Sequence, residues 1–169
     1  MENNMRLPTA LTFAIFAIFS TSAIASGTHD GGHAAAGAVE EYAIGMKGER
    51  ARAKRTINIS LRETDDGKML IEPKLLIFRK NETVVLDFTN KGKVDHEFVM
   101  DTEEAVQEHK KIMEKNPDMV HADDNTLRLA PGEKGEIIWT FAKDGKYTFA
   151  CLIPGHYESG MHGNIQVSK

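Results

Sequence analysis

The stretch TINISLR, Thr56 to Arg62, places Ile57, Ile59 and Leu61 on one face and polar side chains on the other. That period of two predicts a half-buried strand, and DDGK after it predicts a turn. MLIEPKLLIF continues as extended chain, with Pro73, which has no N–H to donate, at an edge or a bulge. TVVLDFTN predicts the next strand, ended by Asn90, Lys91 and Gly92, and HEFVM predicts another. Further on, NTLRL, EIIWTF, YTFACL and GNIQV read as strands, with APGEKG, KDGK and CLIPGHYESGM between them. Trp139 shares parity with Ile137 and Phe141, which predicts core packing and no further role.

One segment breaks this period. DTEEAVQEHKKIMEKNP offers Asp101 as N-cap with Glu104 three residues on, a capping-box spacing. Val106, His109 and Met113 then share a helical face, and Asn116-Pro117 stops the helix. About seven short strands and one helical insertion predict an all-β fold, a Greek-key β-sandwich with two sheets over one core.

The N-terminal residues have a different texture. MENNMRLPTALTFAIFAIFSTSAIAS has Arg6 near its start, an apolar run from Leu7 to Phe19, and Ala23-Ile24-Ala25 at its close. These are the parts of a secretory signal peptide, expected over residues 1–25, and they place the mature chain in the periplasm. The apolar run is too short for a stable membrane anchor. Residues 26–55 are rich in Gly, Ala, Glu and Lys and are expected to be a flexible extension, with a short helical piece around GAVEEYAIGM. The sandwich is expected over residues 56–169. A net charge of -4 gives no reason to expect nucleic acid as a partner.

The cysteine count changes the picture more. One cysteine cannot close an intrachain disulfide, so in an oxidising compartment it implies a reactive thiol, an intermolecular bridge or a metal ligand. Cys151 is followed after four residues by His156, and His156 after four by Met161. A type 1 copper site takes two imidazoles and a thiolate in one plane with a weak axial thioether. A single loop supplies three of these groups. His29 and His33 lie in the extension, and His109 and His121 in the insertion. His96 opens a strand after a tight turn and is the expected second imidazole, with His162, adjacent to Met161, as a weaker competitor. Zinc sites prefer a fourth Cys, His or carboxylate to a thioether. A multicopper oxidase needs a histidine-rich trinuclear cluster and a two-copper centre needs two cysteines, so an enzyme is not expected.

NKGKVDHEF, followed downstream by APGEKGEIIWTFAKDGKYTFACLIPGHYESGMHGNIQV, resembles the cupredoxin family of type 1 copper proteins from Thr56 to Lys169. The spacing of Cys151, His156 and Met161 is similar to that in rusticyanin. The helical insertion and His-containing extension are most similar to the CopI-like group of periplasmic copper-tolerance cupredoxins. The resemblance implies a cupredoxin-like sandwich that holds one copper through His96, Cys151, His156 and Met161. It departs at Glu97, where many cupredoxins carry an Asn that ties the two ligand loops together.

The function expected is periplasmic copper binding in copper tolerance, with single-electron cycling between Cu(I) and Cu(II). The alternatives are an electron shuttle between redox enzymes, whose protein partner the sequence does not name, and a metal-free secreted binding module. His109, Met113, Met119 and His121 in the insertion, and His29 and His33 in the extension, are candidates for auxiliary copper. A chain starting at Gly27 would add a Cu(II) chelate at His29, whereas cleavage after Ala25 would not.

Overall fold

Alternating side chains sort the strands into two layers that meet face to face. The computed structural model describes residues 41–117, 119 and 123–169. The chain runs through β1 (Glu41–Tyr42), β2 (Gly45–Lys47), a 3-10 turn (Arg50–Arg52), β3 (Thr56–Glu63), β4 (Met69–Glu72), β5 (Leu75–Arg79) and β6 (Glu82–Asn90). It continues through β7 (His96–Asp101), α1 (Glu103–Lys115), β8 (Thr126–Leu129), β9 (Lys134–Phe141), β10 (Gly145–Ala150) and β11 (His162–Ser168). One sheet has the order β1-β2-β9-β6-β3-β4 and the other β5-β11-β10-β7-β8. β3 with β6 and β5 with β11 pair parallel, and the remaining neighbours pair antiparallel.

The core lies between the sheets. Ile59, Leu61, Leu86, Phe88, Ile137 and Trp139 point in from the first, and Phe78, Phe98, Met100, Phe149 and Ile165 from the second. Phe98 is wedged between Phe88 (ring centroids 4.6 Å) and Phe149 (5.4 Å). MLIEPKLLIF is not one strand, because the chain changes sheets at Pro73: β4 ends the first sheet and β5 ends the second. Both are edge strands, where a residue with no N–H costs no ladder bond.

Two expectations need correction. The expected signal segment and residues 26–40 lie outside the described residues, but Glu41–Lys47 is neither helical nor a free extension. β2 pairs with β9, Ile44 is fully buried, and the Tyr42 ring packs 5.5 Å from that of Trp139. Gly45 has φ +146 and sits so close to β9 that a Cβ would lie 2.0 Å from the Thr140 carbonyl. Two short strands cannot show a period, so nothing in the pattern announced them. The helix also starts one residue later than expected. Asp101 still pairs with Thr148 in the ladder, so the N-cap is Thr102, whose hydroxyl accepts from the N–H of Ala105.

Helix α1 covers the outer face of the second sheet. Val106 and Met113 are buried with Val99, Ala150 and Leu152, and Glu103 accepts a hydrogen bond from Thr148 on β10. β7 is therefore buried on both faces, by the core on one side and the helix on the other. No helix among the described residues is long and apolar enough to cross a membrane.

Replacing Phe98 with Ala removes the ring that both sheets pack against. The expected cost is about 3–5 kcal/mol of stability, measured by denaturant unfolding of the metal-free protein.

Candidate metal centre

Two connections converge at one end of the sandwich. The Lys91–Asp95 loop leads into β7, whose first residue is His96, and the loop from Cys151 to Met161 joins β10 to β11. Because β10 pairs with both β7 and β11, the two loops lie side by side. The N–H of Glu97 donates to Cys151 Sγ at 3.3 Å, which joins them directly.

The longer loop is closed by its own backbone. The N–H of Cys151 donates to the Met161 carbonyl (2.9 Å), and the N–H of Met161 to the His156 carbonyl (3.0 Å). Lys74 Nζ donates to the carbonyls of His162 (2.8 Å) and Gly160, so it brackets Met161 from outside. Tyr157 fixes the middle of the loop. Its hydroxyl accepts from Gln107 of α1 (2.8 Å), Lys110 lies over its ring, and His162 stacks on it at 4.4 Å. Lys110 also pairs with Glu158 at 2.6 Å.

The donor atoms of His96, Cys151 and His156 all lie within 4.8 Å of one another. His96, Cys151 and Met161 are fully buried, and His156 is 9% exposed. His156 Nδ1 stands 3.3 Å from Cys151 Sγ. His96 Nε2 lies 3.1 Å from Glu63 Oε1, and both ring nitrogens are buried with no well-aligned hydrogen-bond partner among the described residues. A buried polar atom without a partner is costly, and these two share their surroundings with a thiol and a second imidazole. Two nitrogens and one sulfur in an enclosed space are the donor set of a soft, redox-active ion, and Met161 is buried in the same apolar core as Cys151. The residues fit copper.

Burial sets the protonation of the metal-free site. It lowers the pKa of both His96 and His156, so each imidazole is neutral at pH 7. It pushes the Cys151 thiol from 9.0 up to about 12. Glu63 behaves differently. Burial works against its charged form, but the N–H groups of Lys93 and Val94 and the nearby His96 ring outweigh that and hold its pKa below the usual value.

His162 is exposed and stacked on Tyr157, away from the three converging donors. Among the auxiliary candidates, Met113 is fully buried in the apolar contact under the helix, and Met119 is exposed. His109 lies half-buried on α1, while His29, His33 and His121 lie outside the described residues. Among the described residues, His96, Cys151 and His156 are the only group of three His, Cys, Asp or Glu donors brought together. Sequence reasoning missed Glu63 and Lys74. Glu63 did leave a signal: it continues the parity of Ile57, Ile59 and Leu61, which puts a carboxylate on the apolar face of β3.

The chain matches the family described as copper binding proteins, plastocyanin/azurin family, over residues 59–168. It is 41% identical over 170 residues to the copper-resistant cuproprotein CopI of Rubrivivax gelatinosus, covering 99% of each chain. The protein of the same name from Vibrio cholerae serotype O1 is 32% identical over 124 residues, 73% of this chain and 72% of its own. The structure of a dithionite-reduced auracyanin from Roseiflexus castenholzii is similar at TM-score 0.59 and 25% identity, across 69% of this chain and 99% of that one.

The raised thiol pKa gives a pH dependence. Below 9.0 the thiol is protonated in both folded and unfolded chains; between there and about 12 only the folded chain holds the proton. The metal-free protein should therefore lose stability as pH rises through that window, and Cys151→Ala should flatten the loss, as followed by denaturant midpoints. Alkylation of Cys151 at pH 7 should be slow in the folded metal-free protein and fast once it is unfolded.

Proposed function

This chain belongs to the plastocyanin/azurin family of copper-binding proteins, and from that premise we propose that His96, Cys151, His156 and Met161 hold one type 1 copper. The observation that carries this reading is the meeting of two buried imidazoles and a buried thiol within 4.8 Å. Bound there, copper supplies a single-electron couple between Cu(I) and Cu(II).

The chain's own groups prepare the site. His96 and His156 are neutral without metal, so neither has to lose a proton to coordinate. Cys151 must release its proton to become a ligand, and the N–H of Glu97 then stabilises the thiolate. The closed loop and the two sheets fix the donors before metal arrives, so a change of copper charge meets a rigid cage. Coordination by His96, Cys151, His156 and Met161 would leave a bound copper no position for a substrate. We assign the protein binding and electron transfer rather than turnover.

We further propose that it acts in the periplasm and serves copper tolerance, taking up copper and cycling Cu(I) and Cu(II). The export reading rests on the signal-peptide pattern of residues 1–25. The tolerance reading rests on the end-to-end likeness to a copper-resistant cuproprotein.

Copper titration of the mature protein should give an intense thiolate-to-copper absorption that saturates at one equivalent. Cys151→Ala should remove that band while far-UV circular dichroism keeps the strand signature; a surviving band would show that the thiolate is not a ligand. In cells, loss of the chain should lower the copper concentration that growth tolerates. Wild type should restore it and Cys151→Ala should not.

A further inference from the structure

We propose that Glu63 is a positioning residue for the copper ligand His96, and that its carboxylate biases the site toward Cu(II). The proposal rests on the ligand reading above and adds a determinant of the copper's preferred oxidation state.

The geometry is specific. Glu63 Oε1 lies 3.1 Å from His96 Nε2, and no other ion pair of Glu63 is found among the described residues. Its remaining contacts go to the loop that delivers His96: the Lys93 N–H donates at 2.9 Å to Oε2 and 3.2 Å to Oε1, and the Val94 N–H at 3.1 Å to Oε1. Glu63 ends β3 in one sheet and His96 begins β7 in the other, so the contact is a strut between layers at the metal end. Gly92 makes room for it. A Cβ at Gly92 would lie 2.6 and 2.7 Å from the two carboxylate oxygens and 2.8 Å from His96 Nε2.

A carboxylate 3.1 Å from Nε2 favours the ring proton on that nitrogen, which leaves Nδ1 as the lone-pair donor for a metal and makes the imidazole a stronger base. It also adds charge. An ionised carboxylate and a thiolate together carry about two negative charges, which balance Cu(II) and leave Cu(I) with one in excess. Net charge in a poorly solvated site is unfavourable, so the pair favours the oxidised ion and lowers the reduction potential. When a one-electron redox protein reduces the site, Cu(II) becomes Cu(I). The Glu63–His96 pair neither makes nor breaks a covalent bond.

The test is spectroelectrochemistry on copper-loaded wild type, Glu63→Gln, Gly92→Ala and Asp144→Asn. Asp144 is an exposed charge at the opposite end of β10 from Cys151 and controls for loss of one negative charge. Glu63→Gln should shift the equilibrium toward Cu(I) by at least about tenfold, a rise of about 59 mV for one electron. Gly92→Ala, which keeps the charge but wedges the pair apart, should shift it in the same direction. Asp144→Asn should stay within about twofold of wild type. If Glu63→Gln does not fold, Gly92→Ala carries the test. Potentials unmoved in both variants, or moved no further than in Asp144→Asn, would overturn the proposal even if the melting temperature falls, since a purely structural strut predicts that result. In the metal-free wild type, nitrogen NMR should find the His96 ring proton on Nε2, and finding it on Nδ1 would overturn the proposal as well. A wild type with no thiolate-to-copper band would instead remove the ligand reading beneath it.

Discussion

A loop of eleven residues brings a thiol and an imidazole together with Met161 at its far end, and it does so because its ends are tied together. Ala150 faces His162 in the β10–β11 ladder, so Cys151 and Met161 leave the sheet side by side, and the Cys151 N–H closes the neck on the Met161 carbonyl. Everything else at the site follows from this closure. His156 turns inward because its N–H is held by Ile153 and its carbonyl by Met161. Only a matching imidazole from the neighbouring strand is then needed, and β7 starts at the right height to supply it. Slipping the β10–β11 register by one residue would separate Cys151 from Met161 and turn alternate side chains to the wrong face.

The helical insertion belongs to the same construction. Its buried face packs Val106 and Met113 on the second sheet, while Gln107 and Lys110 reach the loop at Tyr157 and Glu158. A turn of helix that looked in sequence like a place for extra copper is, at Met113, part of the packing that holds the loop down. Lys74 acts from the other side, through the carbonyls flanking Met161. The Cys151–Met161 loop is thus gripped by a helix, by Lys74 just before β5 and by its own neck.

Much of this was legible in the residues, and the reasons differ from place to place. β3 and β9 alternate because one face of each meets the core, and the period survives to be read, whereas β6 is buried at four consecutive positions, Thr83 to Leu86, and reads as a continuous apolar run. The meeting of Cys151 and His156 was readable because one loop carries both. His96 needed only the judgement that a strand start is rigid. Glu41–Lys47 could not be read, since strands of two and three residues have no period. The helix start was misplaced because Asp101 and Thr102 are both good caps, and only the ladder partner of Asp101 decides between them. Glu63 lies 33 positions from the imidazole it faces (96 − 63). Nothing local to either residue marks the pairing.

The enclosure of β7 has a consequence for traffic. A strand covered by core on one face and helix on the other opens only with large-scale unfolding, so His96 is a fixed wall of the site. Cys151 and Met161 sit at the neck, equally enclosed, and His156 alone of the four reaches solvent. The site therefore has one door. A metal held there as proposed would enter and leave past His156, the one member of the set that reaches the surface. The helix contacts at Tyr157, the residue next to His156, would then bear on how long a metal stays, separately from the affinity set by the donors themselves.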